Sequence, residues 1–157
     1  MLRQRASVFS STSASTFLAM AGLNRLKMEE VPRAAIEVED MLPAIAQGAI
    51  GIERRDDDMR CAEMLAAIHH GPTGQRLGAE RAFLAALDGS CETPIGGLAL
   101  LEGGSLRLRG EVLRPDGSDA INDDVTVLIE DGPAAGREMA AKMLEKAGDG
   151  FFDWREA

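Results

Sequence analysis

The chain has 157 residues, 45% of them apolar and 27% charged, which suits one ordinary core or two small ones and excludes a disordered or fibrous polypeptide. No run approaches the roughly 18 apolar residues of a spanning helix, so no membrane segment is expected. The net charge is -9, and because Arg3, Arg5, Arg25 and Lys27 stand in an acid-free opening, the rest holds 13 bases against 26 acids. Such a surface repels phosphate backbones, and five Phe, one Trp and no Tyr offer little for bases to stack on, so nucleic acid is excluded as a partner.

The opening "MLRQRASVFSSTSAS" has the Arg- and Ser-rich composition of an organellar transit peptide. It is very short for one and lacks the apolar core of a secretory signal, so an untargeted leader is the preferred reading. From Thr16 to Lys27, Leu18, Ala19, Leu23 and Leu26 recur at helical spacing around Gly22, which predicts a short buried helix. Residues 28–46 hold two prolines and mixed charge and suit a connection with a helical turn. "QGAIGIERR", Gln47 to Arg55, is a Gly-punctuated apolar run ending in charge, as a buried strand would be.

Asp56 to Asp58 then offer an N-cap, and Cys61, Met64, Leu65 and Ile68 form an apolar stripe, so a helix is expected to run to Gly71 and Pro72. A second helix is read in "TGQRLGAERAFLAALDG", with Leu77, Phe83, Leu84 and Leu87 inward and Gly89 as its stop. The period then switches to two. A strand from Ile95 to Leu101, a Gly103-Gly104 turn, a strand burying Leu106, Leu108 and Val112, a Pro115-Asp116-Gly117 turn and a strand in "DDVTVLIED" predict three antiparallel strands. The last helix starts at Pro133, buries Met139, Ala140, Met143, Leu144 and Ala147, and stops at Gly148.

Residues 72–157 therefore read as an α+β domain, a three-stranded antiparallel sheet covered by helices. Residues 16–71 hold one strand and two short helices, too few to close a core, as if the strand's neighbours lay on chain that is absent.

Few residues suggest chemistry. Cys91 sits in the turn "LDGSCETPIGG" after a helix C-terminus, whose negative end raises a thiol pKa, so spacing alone favours a small buried cysteine over a reactive one. Cys61 lies mid-stripe and reads as core. With only these two cysteines and no metal-ligand spacing, a reducing cytosolic setting is expected, and no metal site. His69 and His70 read as complements to the dipole at the end of the preceding helix. The three consecutive acids lack the ligand spacing of a calcium loop, and "LEGGS" is a hairpin turn without the Lys-Ser/Thr of a phosphate loop.

Four segments, "LAMAGLNRL", "LPAIAQGAIGIERR", "AERAFLAALDGSCETPIGGLA" and "LRGEVLRPDGS", together resemble the C-terminal half of the porphobilinogen deaminase (hydroxymethylbilane synthase) family over roughly residues 14–148. The resemblance implies an enzyme that polymerises four porphobilinogen units, with loss of ammonia, on a dipyrromethane held by a thioether to the motif's cysteine, here Cys91. That chemistry is coherent, because deamination of porphobilinogen gives an azafulvene, a soft electrophile that a thiol captures. It further implies that Ala19 and Gln47 line the cofactor and substrate cleft. Ala46 departs from the family's usual glycine, which matters if φ is positive there.

By the same resemblance, residues 1–13 are an unmatched leader. Residues 14–46 end the second of two periplasmic-binding-protein-like α/β domains, 47–71 form a crossover strand and helix of the first, and 72–157 are the cofactor-tethering domain. The family's catalytic aspartate and its clusters of arginine and lysine have no counterpart in this sequence, so the chain is expected to be incompetent alone. A separately encoded N-terminal half would be its partner. The other readings are a non-catalytic interaction module and a decayed fragment.

Overall fold

The structure, a computed structural model, describes residues 17–88, 93–148 and 150–153. The chain forms two compact units, divided between Glu37 and Val38.

In the first unit, helix α1 (Met20–Arg25) is a short turn of helix that buries Leu23, while Leu18 and Leu26 stay exposed against the expectation of an inward stripe. Six residues present too little helix to bury more than one position. Lys27 ends it in the left-handed region at φ 53°, where its N–H donates to Asn24 O and that of Met28 donates to Leu23 O. That pair of bonds closes the helix with a Schellman motif on a residue other than glycine.

The second unit is organised by a central strand. Strand β2 (Ser105–Leu113) alternates strictly, with Leu106, Leu108, Gly110 and Val112 buried and Arg107, Arg109 and Glu111 more exposed. It pairs antiparallel with β1 (Ile95–Glu102) on one side and β3 (Ala120–Leu128) on the other, giving the order β1-β2-β3. The β1–β2 hairpin turns on Gly103 and Gly104, both at positive φ, as a two-residue loop matched to strand twist requires. Strand β3 stops at Leu128, opposite the first residue of β2, and the chain continues as a 3₁₀ turn over Ile129–Asp131. The expected strand through Asp131 is therefore shorter at that end, because the ladder has no partner beyond Ser105.

Helices α3 (Gly71–Ala86) and α4 (Gly132–Ala147) cover the buried face of this sheet. They approach to backbone contact: a Cβ on Gly136 would lie 2.4 Å from Ala79 O and 3.0 Å from Phe83 N. In the middle of β2, Gly110 leaves room for the Phe83 ring and the Met139 sulfur, which would meet a Cβ at 2.6 and 2.9 Å. Phe83, Leu87, Leu106, Leu108, Val112 and Met139 form the fully buried centre. Phe151 closes its rim, held where Arg114 donates to the carbonyls of Gly150 and Phe151 and pairs with Asp153.

Residues 47–55 correct the sequence reading. No strand forms there, and Ile50 is 94% exposed. A strand exists only with a partner for its backbone groups, and among the described residues the nearby edge of β1 is already taken by residues 43 and 44. Helix α2 (Met59–Ala66) follows, capped by the Asp58 carboxylate accepting from Cys61 N at 2.9 Å. Of the expected stripe, Cys61 and Leu65 are half-buried, whereas Met64 and Ile68 are exposed. The helix ends at Ala66, and Gly71-Pro72 opens α3 instead of closing α2, as suits a proline in a first turn.

On the other sheet face, Arg107 grips Asp124 across β2 and β3, with Nε 3.1 Å from both carboxylate oxygens. The guanidinium hydrogen bond holds the Asp124 carboxyl below its ordinary value. Because the shift is downward, the pair stabilises the fold above about pH 4 and loses its effect as pH falls through the depressed pKa. Arg107→Ala is expected to move the Asp124 titration upward, read by NMR of its side-chain carbon; an unmoved titration would exclude the bidentate pair. Gly136→Ala is expected to cost about 1–3 kcal/mol by urea unfolding, because backbone atoms of α3 must give way.

Candidate functional site

Cys91 and its neighbours Gly89, Ser90 and Glu92 lie outside the described residues. On the helix side, Leu87 is buried and Asp88 takes φ 52°, its N–H donating to Ala85 O, so the left-handed residue after α3 is Asp88. On the strand side, Ile95 N donates to Thr93 O at 2.8 Å, and Leu113 N donates to Pro94 O at 3.0 Å. Leu87 and Ile95, on either side of the Cys91 segment, both belong to the core.

The structure brings a second candidate onto this unit. Gln47 is exposed and ends a short segment held against the start of β1. Gly97 N donates to Pro43 O at 2.9 Å, and Ala44 bridges Gly96 in antiparallel fashion. The two strand glycines make the approach possible. A Cβ on Gly96 would lie 3.0 Å from Leu42 Cβ, and one on Gly97 would lie 2.3 Å from Ile45 Cδ1. Adjacent glycines in a strand are the sequence signal for such a backbone approach, and the sequence reading passed over it.

It also passed over Glu80. This side chain is 5% exposed on the inner face of α3, and its carboxylate accepts two backbone bonds: Ala46 N to Oε2 and Ala99 N to Oε1, each 2.9 Å. A glutamate amid the stripe of Ala79, Phe83 and Leu87 was the available hint, since buried carboxylates need donors. Ala46 itself adopts φ 61°, and Gly48 follows at φ 77°. The positive φ that would favour the family's glycine is thus present, and alanine occupies it.

Ala19 stands in the first unit as the residue before α1, exposed, its carbonyl accepting from Gly22 N and Leu23 N. His70 precedes α3 with Nδ1 2.8 Å from Thr73 Oγ1, so it belongs to the start of the third helix rather than the end of the second. Three arginines of the second unit are engaged locally: Arg107 with Asp124, Arg109 with Glu39 and Val38 O, and Arg114 with Asp153. Among the described residues, no three His, Cys, Asp or Glu gather to hold a metal, and no helix is long and apolar enough to cross a membrane.

Residues 3–63 match the family model described as "Porphobilinogen deaminase, dipyromethane cofactor binding domain", and residues 75–145 match "Porphobilinogen deaminase, C-terminal domain". The chain belongs to the porphobilinogen deaminase family. Among curated relatives, the porphobilinogen deaminase of Paracoccus denitrificans is 56% identical over 142 residues, 90% of this chain and 45% of the relative. The chloroplastic enzyme of Pisum sativum is 43% identical over 88% of this chain and 38% of its own length, and that of Nitrobacter hamburgensis is 42% identical over 88% and 44%. The chain therefore spans less than half the length of these porphobilinogen deaminases.

Two positions are sharpened by these matches. The cofactor-binding match begins at residue 3, inside the segment 1–13 that sequence reading left outside the porphobilinogen deaminase resemblance. It contains Ala19 and Gln47, whereas Cys91 falls in the C-terminal match. Ala46→Gly is expected to stabilise the chain by about 1 kcal/mol, the usual left-handed penalty of a side chain. Urea unfolding checks this, and a loss of stability would show that Ala46 is unstrained.

Proposed function

We propose that this chain is the cofactor-tethering part of a hydroxymethylbilane synthase, acting in the cytoplasm on porphobilinogen, with dipyrromethane held by a thioether to Cys91. What carries the reading is that the two family matches run in order along the chain and that Cys91, in its Gly-Ser-Cys-x-x-Pro-Ile-Gly setting, falls within the second. Residues 14–46 and 47–71 are read as the parts contributed to two periplasmic-binding-protein-like α/β domains. The exposed Ile50, Met59, Met64 and Ile68 support this, since they present apolar surface that the rest of the family's length would cover.

The residues fit the group in type. A thiol is the side chain type here suited to a lasting thioether to the exocyclic methylene carbon of an azafulvene, and Gln47 offers both a donor and an acceptor in an exposed position. When bound, dipyrromethane supplies the nucleophilic pyrrole carbon on which the product grows. This chain's own task is to hold it, and the residues on either side of the Cys91 segment, Leu87 and Ile95, are in the core.

Charge sets the limit on what the chain does alone. Each added ring brings two carboxylates, and an acidic unit whose Arg107, Arg109 and Arg114 are locally paired offers them little. The cations and the catalytic acid are assigned to the length that the relatives have beyond this chain.

Intact-mass measurement tests the tether. Incubated with porphobilinogen, the chain alone is expected to form no hydroxymethylbilane. Added to the N-terminal part of the Paracoccus denitrificans relative, it is expected to gain a dipyrromethane adduct that Cys91→Ser abolishes and Cys61→Ser leaves in place. Turnover by the chain alone would overturn the assigned dependence, and an adduct on Cys61 would overturn the tether.

A further inference from the structure

We propose that Glu80 is a positioning residue, whose carboxylate clamps the Pro43–Gln47 bend onto the edge of β1 and so sets where Gln47 stands on the domain that bears Cys91. The inference rests on reading Gln47 as a cofactor-site residue, and its test needs no cofactor.

Glu80 is the one buried charged side chain among the described residues, and none of its contacts is with a cation. A buried carboxylate with no counter-charge is retained only where several N–H groups point at it. Here each oxygen takes one, and the two donors come from different places. Ala99 is in the middle of β1, on the same domain as Glu80, whereas Ala46 is at the end of the incoming segment. The carboxylate therefore joins two parts of the chain that have no strand ladder between them beyond the single bridge of Ala44 to Gly96.

The residue it holds is also a strained one. Ala46 at φ 61° leaves the extended path of Pro43 and Ala44 and turns the chain so that Gln47 emerges exposed. Without the bond to Oε2, an alanine there gains by relaxing to negative φ, which would redirect Gln47 and everything after it. Ile45 in the space beside Gly97 anchors the bend on one side, and Glu80 anchors it on the other.

A carboxamide is the diagnostic replacement. It has one acceptor oxygen, so in Glu80→Gln its NH₂ must face either Ala46 N–H or Ala99 N–H, donor against donor. Spin labels at Gln47→Cys and Arg137→Cys, in the full chain with Cys61→Ser and Cys91→Ser, report the position of the bend. Glu80→Gln is expected to broaden that distance distribution about twofold while a Thr126→Cys/Arg137→Cys pair within the domain is unchanged. Amide exchange at Ala46 is expected to quicken about tenfold with no change at Phe83 or Met139. Adding Ala46→Gly, which removes the strain, is expected to recover about fivefold of that protection.

Should Glu80→Gln unfold the domain, Glu80→Asp, charged but one methylene shorter, replaces it, with the same local loss expected. An unchanged 47–137 distribution, protection lost evenly through the core in both variants, or no recovery with Ala46→Gly would overturn the proposal. Failure of the Cys91 adduct with an intact clamp would instead refute the cofactor reading alone.

Discussion

The free edge of β1 is the constraint on which the second unit depends. An edge strand presents unpaired amides, and leaving them buried costs more than most single contacts return. In this chain the amide of Gly97 is met by the Pro43 carbonyl and that of Ala99 by the Glu80 carboxylate. The consequence reaches in both directions along the sequence. It recruits residues 38–46 to a domain that would otherwise start near residue 71, and it obliges a charged side chain to sit in the core.

The small residues follow from the same closeness. Gly96 and Gly97 admit Leu42 and Ile45, Gly110 admits the Phe83 ring, and Gly136 lets α4 lie on the backbone of α3. Each replaces side-chain volume on one element by a large side chain or a backbone on another, which is how a two-layer domain of this size reaches interior packing density. Leu87 and Ile95, on either side of the Cys91 segment, are both part of this packed core. The surface of the unit is acidic, and Arg107, Arg109 and Arg114 are each engaged by a carboxylate of the same unit.

Much of this was legible in the residues. The alternation through Leu106, Leu108 and Val112, the Gly103-Gly104 turn and the stripe ending at Gly148 specify their elements locally, because each depends on spacing within one segment, although Leu144 of that stripe is exposed. "QGAIGIERR" misled for the opposite reason. Its apolar run has the composition of a buried strand, but a strand is a property of two segments, and the edge it would need is taken. The stripe of α2 failed likewise, with Met64 and Ile68 left facing outward for want of a surface to meet.

By itself, then, the sequence determined the family and the α+β class of the C-terminal domain, since motifs and periodicities are local and survive in one dimension. Only the tertiary structure decided that residues 38–46 belong with that domain, that Ala46 turns through positive φ, and that Glu80 holds it there. The reason is physical: Glu80, Ala46 and Ala99 are far apart along the chain, and no pattern within any one segment encodes two backbone amides meeting a single buried carboxylate.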